Sequence, residues 1–203
     1  MNAGLGRTRP WHAGLSAVVV LTVLPACLAA AGPAARPAKP DPNQGGATMK
    51  IESTAFAHGQ TIPKKHTGEG ADVSPPLTWS NLPAGVRELA LICDDPDAPR
   101  PQPWVHWVIY KIPAVCTGLP EGVPRDKQLA DPAGALQGLN SWPSIGYRGP
   151  MPPPGHGVHH YHFRLYALDK PLDLKAGLDK AGLLTALKGH VLAEAVLTGA
   201  YQR

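Results

Sequence analysis

Proline and glycine interrupt this chain so often that strands joined by irregular loops are favoured over a bundle of helices. There are 24 prolines and 22 glycines among 203 residues. Proline lacks a backbone N–H and clashes with the preceding helical turn, and glycine adds entropy cost inside any regular element. Short apolar runs lie between these breaks, which is the pattern of a mostly antiparallel β fold. Hydrophobic residues make up 43% of the chain and charged residues only 17%, enough for a packed core and too few charges for a disordered protein.

Side-chain periodicity gives the elements. Lys50–Phe56 is a first strand candidate and Leu77–Trp79 a short second one. Glu88–Cys93 (ELALIC) is nearly continuous in apolar residues, as in a strand buried on both faces. Trp104–Ile112 (WVHWVIYKI) is rich in β-branched and aromatic residues, and strict alternation puts Trp104, His106, Val108 and Tyr110 on one face. In His159–Leu168, the same rule groups His159, Tyr161, Phe163 and Leu165 and turns His160, His162 and Arg164 the other way. Leu184, Leu187 and Val191 predict a helix over Asp179–Leu192, weakened towards its end by Gly189. Alternation over Ala195–Tyr201 predicts a last strand.

The first 31 residues read as an export signal. Arg7 and Arg9 precede Leu15–Leu24 (LSAVVVLTVL), an apolar stretch too short to span a bilayer. Leu24-Pro25-Ala26-Cys27 resembles a lipobox, in which Cys27 becomes the lipidated first residue, and ordinary cleavage at Ala29-Ala30-Ala31 competes with it. The expected location is therefore the periplasm, with membrane attachment only through a lipid on Cys27. Residues 32–47 (GPAARPAKPDPNQGGA) are a Pro/Gly-rich linker, and residues 48–203 form one domain without internal repeats. The net charge is +4, two of which are the leader arginines, and no basic cluster exists, so a nucleic-acid partner is not expected.

Three segments concentrate unusual polar residues. Asp94-Asp95-Pro96-Asp97-Ala98-Pro99 places carboxylates in a rigid turn directly after a buried strand. The plain alternative is a solvent-facing turn. Trp104-Val105-His106-Trp107 sets a histidine among tryptophans, where a core histidine with one backbone partner is the plain alternative. Gly146–Tyr161 (GYRGPMPPPGHGVHHY) alternates permissive glycines with stiff prolines, either as a surface loop or as a shaped rim that offers backbone N–H groups to an anion.

Together with Asp72–Trp79 (DVSPPLTW), these segments closely resemble the bacterial Raf kinase inhibitor-like branch of the phosphatidylethanolamine-binding proteins, over about residues 49–203. The resemblance implies a mainly β fold, a large antiparallel sheet packed against a smaller sheet, with a helix near the C-terminus. It implies a pocket for phosphate-type anions or a phosphoethanolamine-like lipid headgroup. The family's pocket acid falls on Asp95 with Asp97 in support, its histidines on His106 and His159, and its tyrosine on Tyr161. Its Gly-Pro rim falls on Gly149, Pro153, Gly155 and Gly157. Met151 stands where bacterial relatives commonly have cysteine. Some relatives regulate or inhibit a partner protein, and bacterial relatives are often dimers. A carboxylate beside an imidazole favours the charged imidazole, so protonated His106 or His159 is expected to donate to a phosphoryl oxygen.

Other readings are weaker. The Asp/His cluster suits acid–base hydrolysis, but no nucleophile stands in a matching context. His160 and His162 share a face and suit a divalent ion, but no metal-ligand spacing is matched. Neither catalysis, nor a metal, nor a cofactor is expected. Cys93 and Cys116 lie towards opposite ends of their strands if Asp95 and His106 share a pocket, which leaves two free thiols. Palmitate labelling tests the leader: a label on Cys27 that Cys27→Ala abolishes is the expected outcome, and an unlabelled protein assigns cleavage to Ala29–Ala31.

Overall fold

A computed structural model describes residues 48–203. The expected export signal (1–31), its Cys27 and the linker (32–47) lie outside the described residues. Eight strands and one α-helix are formed: β1 (Lys50–Glu52), β2 (Leu77–Ser80), β3 (Glu88–Asp95), β4 (Trp104–Pro113), β5 (Gly118–Leu119), β6 (Leu136–Gln137), β7 (His159–Leu168), α1 (Lys180–Leu187) and β8 (Val191–Tyr201). They build a five-stranded sheet ordered β6-β4-β3-β7-β8 and a three-stranded sheet ordered β1-β2-β5, every pairing antiparallel.

The large sheet is covered on both faces, which explains β3. All eight of its residues are buried. Leu89, Leu91 and Cys93 enter the core between the two sheets, with Trp79, Trp107, Phe163 and Leu197. Ala90 and Ile92 enter a second core on the other face, with Tyr110, Leu183 and Leu187. The continuous apolar run ELALIC is therefore what a central strand with two dry faces requires. Cys93 and Cys116 are both free thiols, as expected.

β2, β3 and β4 run one or two residues past their expected ends, and three boundaries differ by more. The first strand ends at Glu52 rather than Phe56. The helix runs from Lys180 only to Leu187, because Gly189 adopts φ +83°, the left-handed conformation that stops a helix. Val191 then opens β8, which pairs with the full length of β7 from Leu168↔Val191 to His159↔Tyr201. At its start the helix is capped by Asp179, whose Oδ1 accepts from the Gly182 N–H at 2.8 Å.

Strict alternation along β4 fails as well. Cys93 pairs with Trp107 and Asp94 with Val105, so His106 is an extra residue with no partner on β3, a β-bulge. Val105 and Val108 pack towards the helix-side core, whereas Trp107 and Ile109 enter the core between the sheets. His106 turns to the Trp107 side, with its ring against Tyr161, so it does not share a face with Val108 and Tyr110. A second irregularity sets Tyr110 and Lys111 opposite Ala90, with Lys111 at φ +56°.

The helix is anchored to the sheet through Leu183 and Leu187, both fully buried. Leu187→Ala removes a buried side chain over β3 and is expected to cost about 2–5 kcal/mol, measured by chemical unfolding.

Candidate ligand-binding site

The C-terminal end of β3, the start of β4 and the start of β7 meet at one end of the large sheet, and a cavity of about 210 Å³ opens there. Asp95, His106, His159 and Tyr161 are all among its lining residues and are each at most 3% exposed. Trp104, Trp142, Met151 and Pro153 add apolar wall, and Arg100 completes the lining from the turn after β3.

The Asp95 carboxylate is fixed at both oxygens. Oδ1 accepts from the Asp97 N–H at 2.9 Å, an Asx-type turn, and Oδ2 pairs with His159 Nδ1 at 2.7 Å. A carboxylate can only accept, so His159 Nδ1 carries the proton of that bond. The Asp-Asp-Pro-Asp-Ala-Pro turn thus exists to aim one carboxylate across to the neighbouring strand.

His106 is held differently. Its Nδ1 donates to the Arg148 carbonyl at 2.6 Å, and the Arg148 N–H donates back to the His106 carbonyl at 2.9 Å. With the proton on Nδ1, Nε2 of the neutral ring is an acceptor. Burial pushes its pKa below 6.5, and neither the Arg148 bond nor the nearby Asp95, Asp94 and Asp72 charges reverse this. The expected protonated donor is therefore corrected for His106, which is neutral at pH 7.

Tyr161 packs edge-on against His106, ring centroids 5.0 Å apart. Its buried hydroxyl has no hydrogen-bond partner among the described residues. Burial, reinforced by the charge and the closeness of the Asp95 carboxylate, pushes its ionisation far above the usual phenol range, so it stays an O–H donor. The Asp95 oxygens, already taken by Asp97 N–H and His159, make no bond of hydrogen-bonding length to it.

The remaining expected residues are placed around the cavity rather than on its floor. Pro153 lines it. Asp97 does not: its Oδ2 accepts from the His160 N–H at 2.8 Å and from His160 Nδ1 at 2.7 Å, which ties the turn to the outer side of β7. Its burial would raise the carboxyl pKa, and the His160 bonds outweigh that and hold it low. Gly149 lies under the His66–Thr67 backbone, where a Cβ would stand 2.3 Å from the His66 carbonyl, and its N–H donates to Asp72 Oδ1 at 2.7 Å. The Gly155 N–H donates to the Arg203 carbonyl at 3.1 Å, and Arg203 Nε donates to the Pro152 carbonyl at 2.7 Å. The N–H groups of Gly149 and Gly155 are therefore spent on the protein itself. Gly155 and Gly157 shape the rim at φ +73° and +93°.

Two contributors were missed in the sequence. Trp142 stands in a loop without periodicity, and it packs edge-on against both Trp104 and His106 at 5.2 and 5.1 Å. Asn140 holds that loop, its Oδ1 accepting from the Trp142 and Ser144 N–H groups. The only signal was the turn chemistry of Asn140-Ser141-Trp142-Pro143. Arg100, over the Trp104 ring at 5.5 Å, lay just past the Asp/Pro turn. Among the described residues no group of three or more His, Cys, Asp or Glu is arranged to hold a metal ion, and no helix is long and apolar enough to cross a membrane.

A fold of two antiparallel sheets with a helix on the larger one matches known proteins. The profile of the phosphatidylethanolamine-binding protein family matches residues 52–202, and the chain belongs to that family. A UPF0098 protein of Methanothermobacter thermautotrophicus is 50% identical over 155 residues, covering 76% of this chain and 99% of that protein. A second, from Pyrococcus horikoshii, is 45% identical over 156 residues, covering 77% of each. These relatives are archaeal, so the resemblance is not confined to bacteria. Among solved structures, the phosphatidylethanolamine-binding protein homologue CT736 of Chlamydia trachomatis is 39% identical with a TM-score of 0.69, covering 77% of this chain and 98% of its own. E. coli YbcL is 33% identical with a TM-score of 0.72, covering 77% and 99%.

The depressed His106 pKa makes a sign-specific prediction. Near pH 7 and above, the folded and unfolded chains both hold His106 neutral. As pH falls through 6.5, the ordinary value, the unfolded chain takes up a proton that folded His106 refuses. Stability is therefore lost on acidification from pH 7 towards pH 5.5. Thermal unfolding of His106→Gln is expected to show a shallower loss over that window than the wild type.

Proposed function

We propose that the cavity binds a small phosphate-bearing zwitterion of the phosphoethanolamine kind, without turnover. The observation that carries this reading is the buried Tyr161 hydroxyl, a donor with no partner among the described residues at the floor of a shaped cavity. A buried hydroxyl left unpaired costs about 1–3 kcal/mol, which an incoming phosphoryl oxygen recovers. Arg100 supplies positive charge to the same oxygen atoms.

The acceptors argue for an ammonium on the same molecule. Asp95 is anionic and would repel a bare phosphate, and His106 Nε2 offers a lone pair. An ammonium group satisfies both, so a zwitterion suits this floor better than inorganic phosphate. At about 210 Å³ the cavity has room for a headgroup and not for acyl chains, so a lipid ligand leaves its tails outside. Binding rather than hydrolysis fits the lining: among the described residues that line the cavity Tyr161 carries the one hydroxyl and none carries a thiol, and burial keeps that phenol protonated. If the leader exports the domain as its sequence suggests, the pocket meets its ligand in the envelope.

Calorimetric titration with O-phosphorylethanolamine and with inorganic phosphate tests the reading. The wild type is expected to prefer the zwitterion, and Tyr161→Phe to weaken it by about 5- to 10-fold, the worth of one hydrogen bond. Asp95→Ala is expected to narrow the preference over inorganic phosphate. Equal affinity for both probes in the wild type would remove the ammonium from the argument, and no binding of either would remove the anion.

A further inference from the structure

His156 has no part in the cavity lining, yet it touches a fully buried member of the site. It stands exposed on the rim loop, and its Nδ1 is 2.7 Å from Nε2 of His159, with ring centroids 5.0 Å apart. His159 is 1% exposed and has already committed Nδ1 to Asp95. Its Nε2 is then the only polar atom that His159 has left for a ligand. When the His159 ring is neutral that atom is a lone pair, and His156 Nδ1–H is then the donor. A chain of three groups results, Asp95, His159 and His156, and a surface residue covers its working end.

We propose that His156 is an internal competitor for the site: it occupies His159 Nε2 and is displaced when a phosphoryl oxygen binds there. The inference rests on the anion reading given above. The backbone allows the exchange, because Gly155 and Gly157 flank His156 at φ +73° and +93° with nothing within 4 Å of either Cβ position. The exposed His156 side chain can therefore rotate away from His159 while the loop stays tied to Arg203 through the Gly155 N–H.

The exchange carries one proton. A phosphoryl oxygen and a bare Nε2 are both acceptors and cannot bond to each other. When His156 leaves with its own Nδ1–H, one proton from solvent must land on His159 Nε2, because a phosphate monoester is mostly dianionic at pH 7. His159 then donates from Nδ1 to Asp95 and from Nε2 to the ligand, and no covalent bond changes apart from that transfer. The groups that face His159 are Asp95 on β3, bonded to its Nδ1, Arg100 in the cavity lining, neutral His106 on β4 and the protonated Tyr161 hydroxyl on β7, while Asp97 is engaged with His160.

The test has a ligand-free arm and a binding arm, on the domain with its described residues intact. In the first, nitrogen NMR of ¹⁵N-histidine protein is expected to show a scalar coupling across the hydrogen bond between His156 Nδ1 and His159 Nε2, lost in His156→Ala. In the second, His156→Ala is expected to bind O-phosphorylethanolamine about 5- to 10-fold tighter than the wild type, one competing hydrogen bond having gone. His156→Asn, whose amide nitrogen sits where Nδ1 does, is expected to return the wild-type affinity. Calorimetry in buffers of different ionisation enthalpy at pH 7 is expected to show net proton uptake on binding. Absence of the coupling in the wild type overturns the competitor whatever the ligand, and so does His156→Ala binding as weakly as the wild type or more weakly. If the coupling is present but no variant binds the probe, the anion reading falls and displacement by phosphate falls with it.

Discussion

The hydrogen-bonded pair of Asp95 and His159 joins the ends of two neighbouring strands, and the site is arranged around it. β3 and β7 are in register from Glu88↔Leu168 to Asp94↔His162, so their pairing delivers the two side chains to the same end of the sheet. Both are almost completely buried, where an unpaired carboxylate is costly. The Asx turn that fixes the second carboxylate oxygen and the bulge that admits His106 are local adjustments around that pair. On the far face, Lys180 at the start of α1 pairs with Asp94, so adjacent carboxylates tie the strand end to two different layers.

Much of this was legible because strand periodicity is a local property. After Glu88 the run ELALIC has no polar gap, and it became a long central strand with both faces dry. On β7 the alternation is unbroken, and His159 and Tyr161 entered the cavity while His160 turned outward to Asp97. Where a bulge adds one residue, the period-two rule loses its count. His106 was placed in the site by its motif, while alternation put it on the wrong face. The helix end failed for a related reason: Val191 continues an apolar spacing that Gly189 has already broken.

What could not be read were the contacts made by irregular chain. Gly149 was expected to offer its N–H outward, and only the fold shows Asp72, 77 residues away in sequence, taking it. Trp142 reaches the cavity from a loop held by Asn140, and no spacing in the sequence links it to Trp104 or His106. The resemblance set Asp97 in support of Asp95, and the turn gives it that place through its N–H, which bonds to Asp95, while its carboxylate goes to His160. Residue type announced the chemistry of this pocket, and tertiary structure decided which atoms remained to perform it.

The rim loop is fastened from outside the loop itself. Arg203 accepts from the Gly155 N–H and donates to the Pro152 carbonyl, so a residue beyond β8 braces the wall of the cavity. Arg203 lines no part of the cavity itself, whereas Pro152 does. A substitution at Arg203 therefore reaches the shape of the pocket through the backbone it holds, leaving every group on the floor in place.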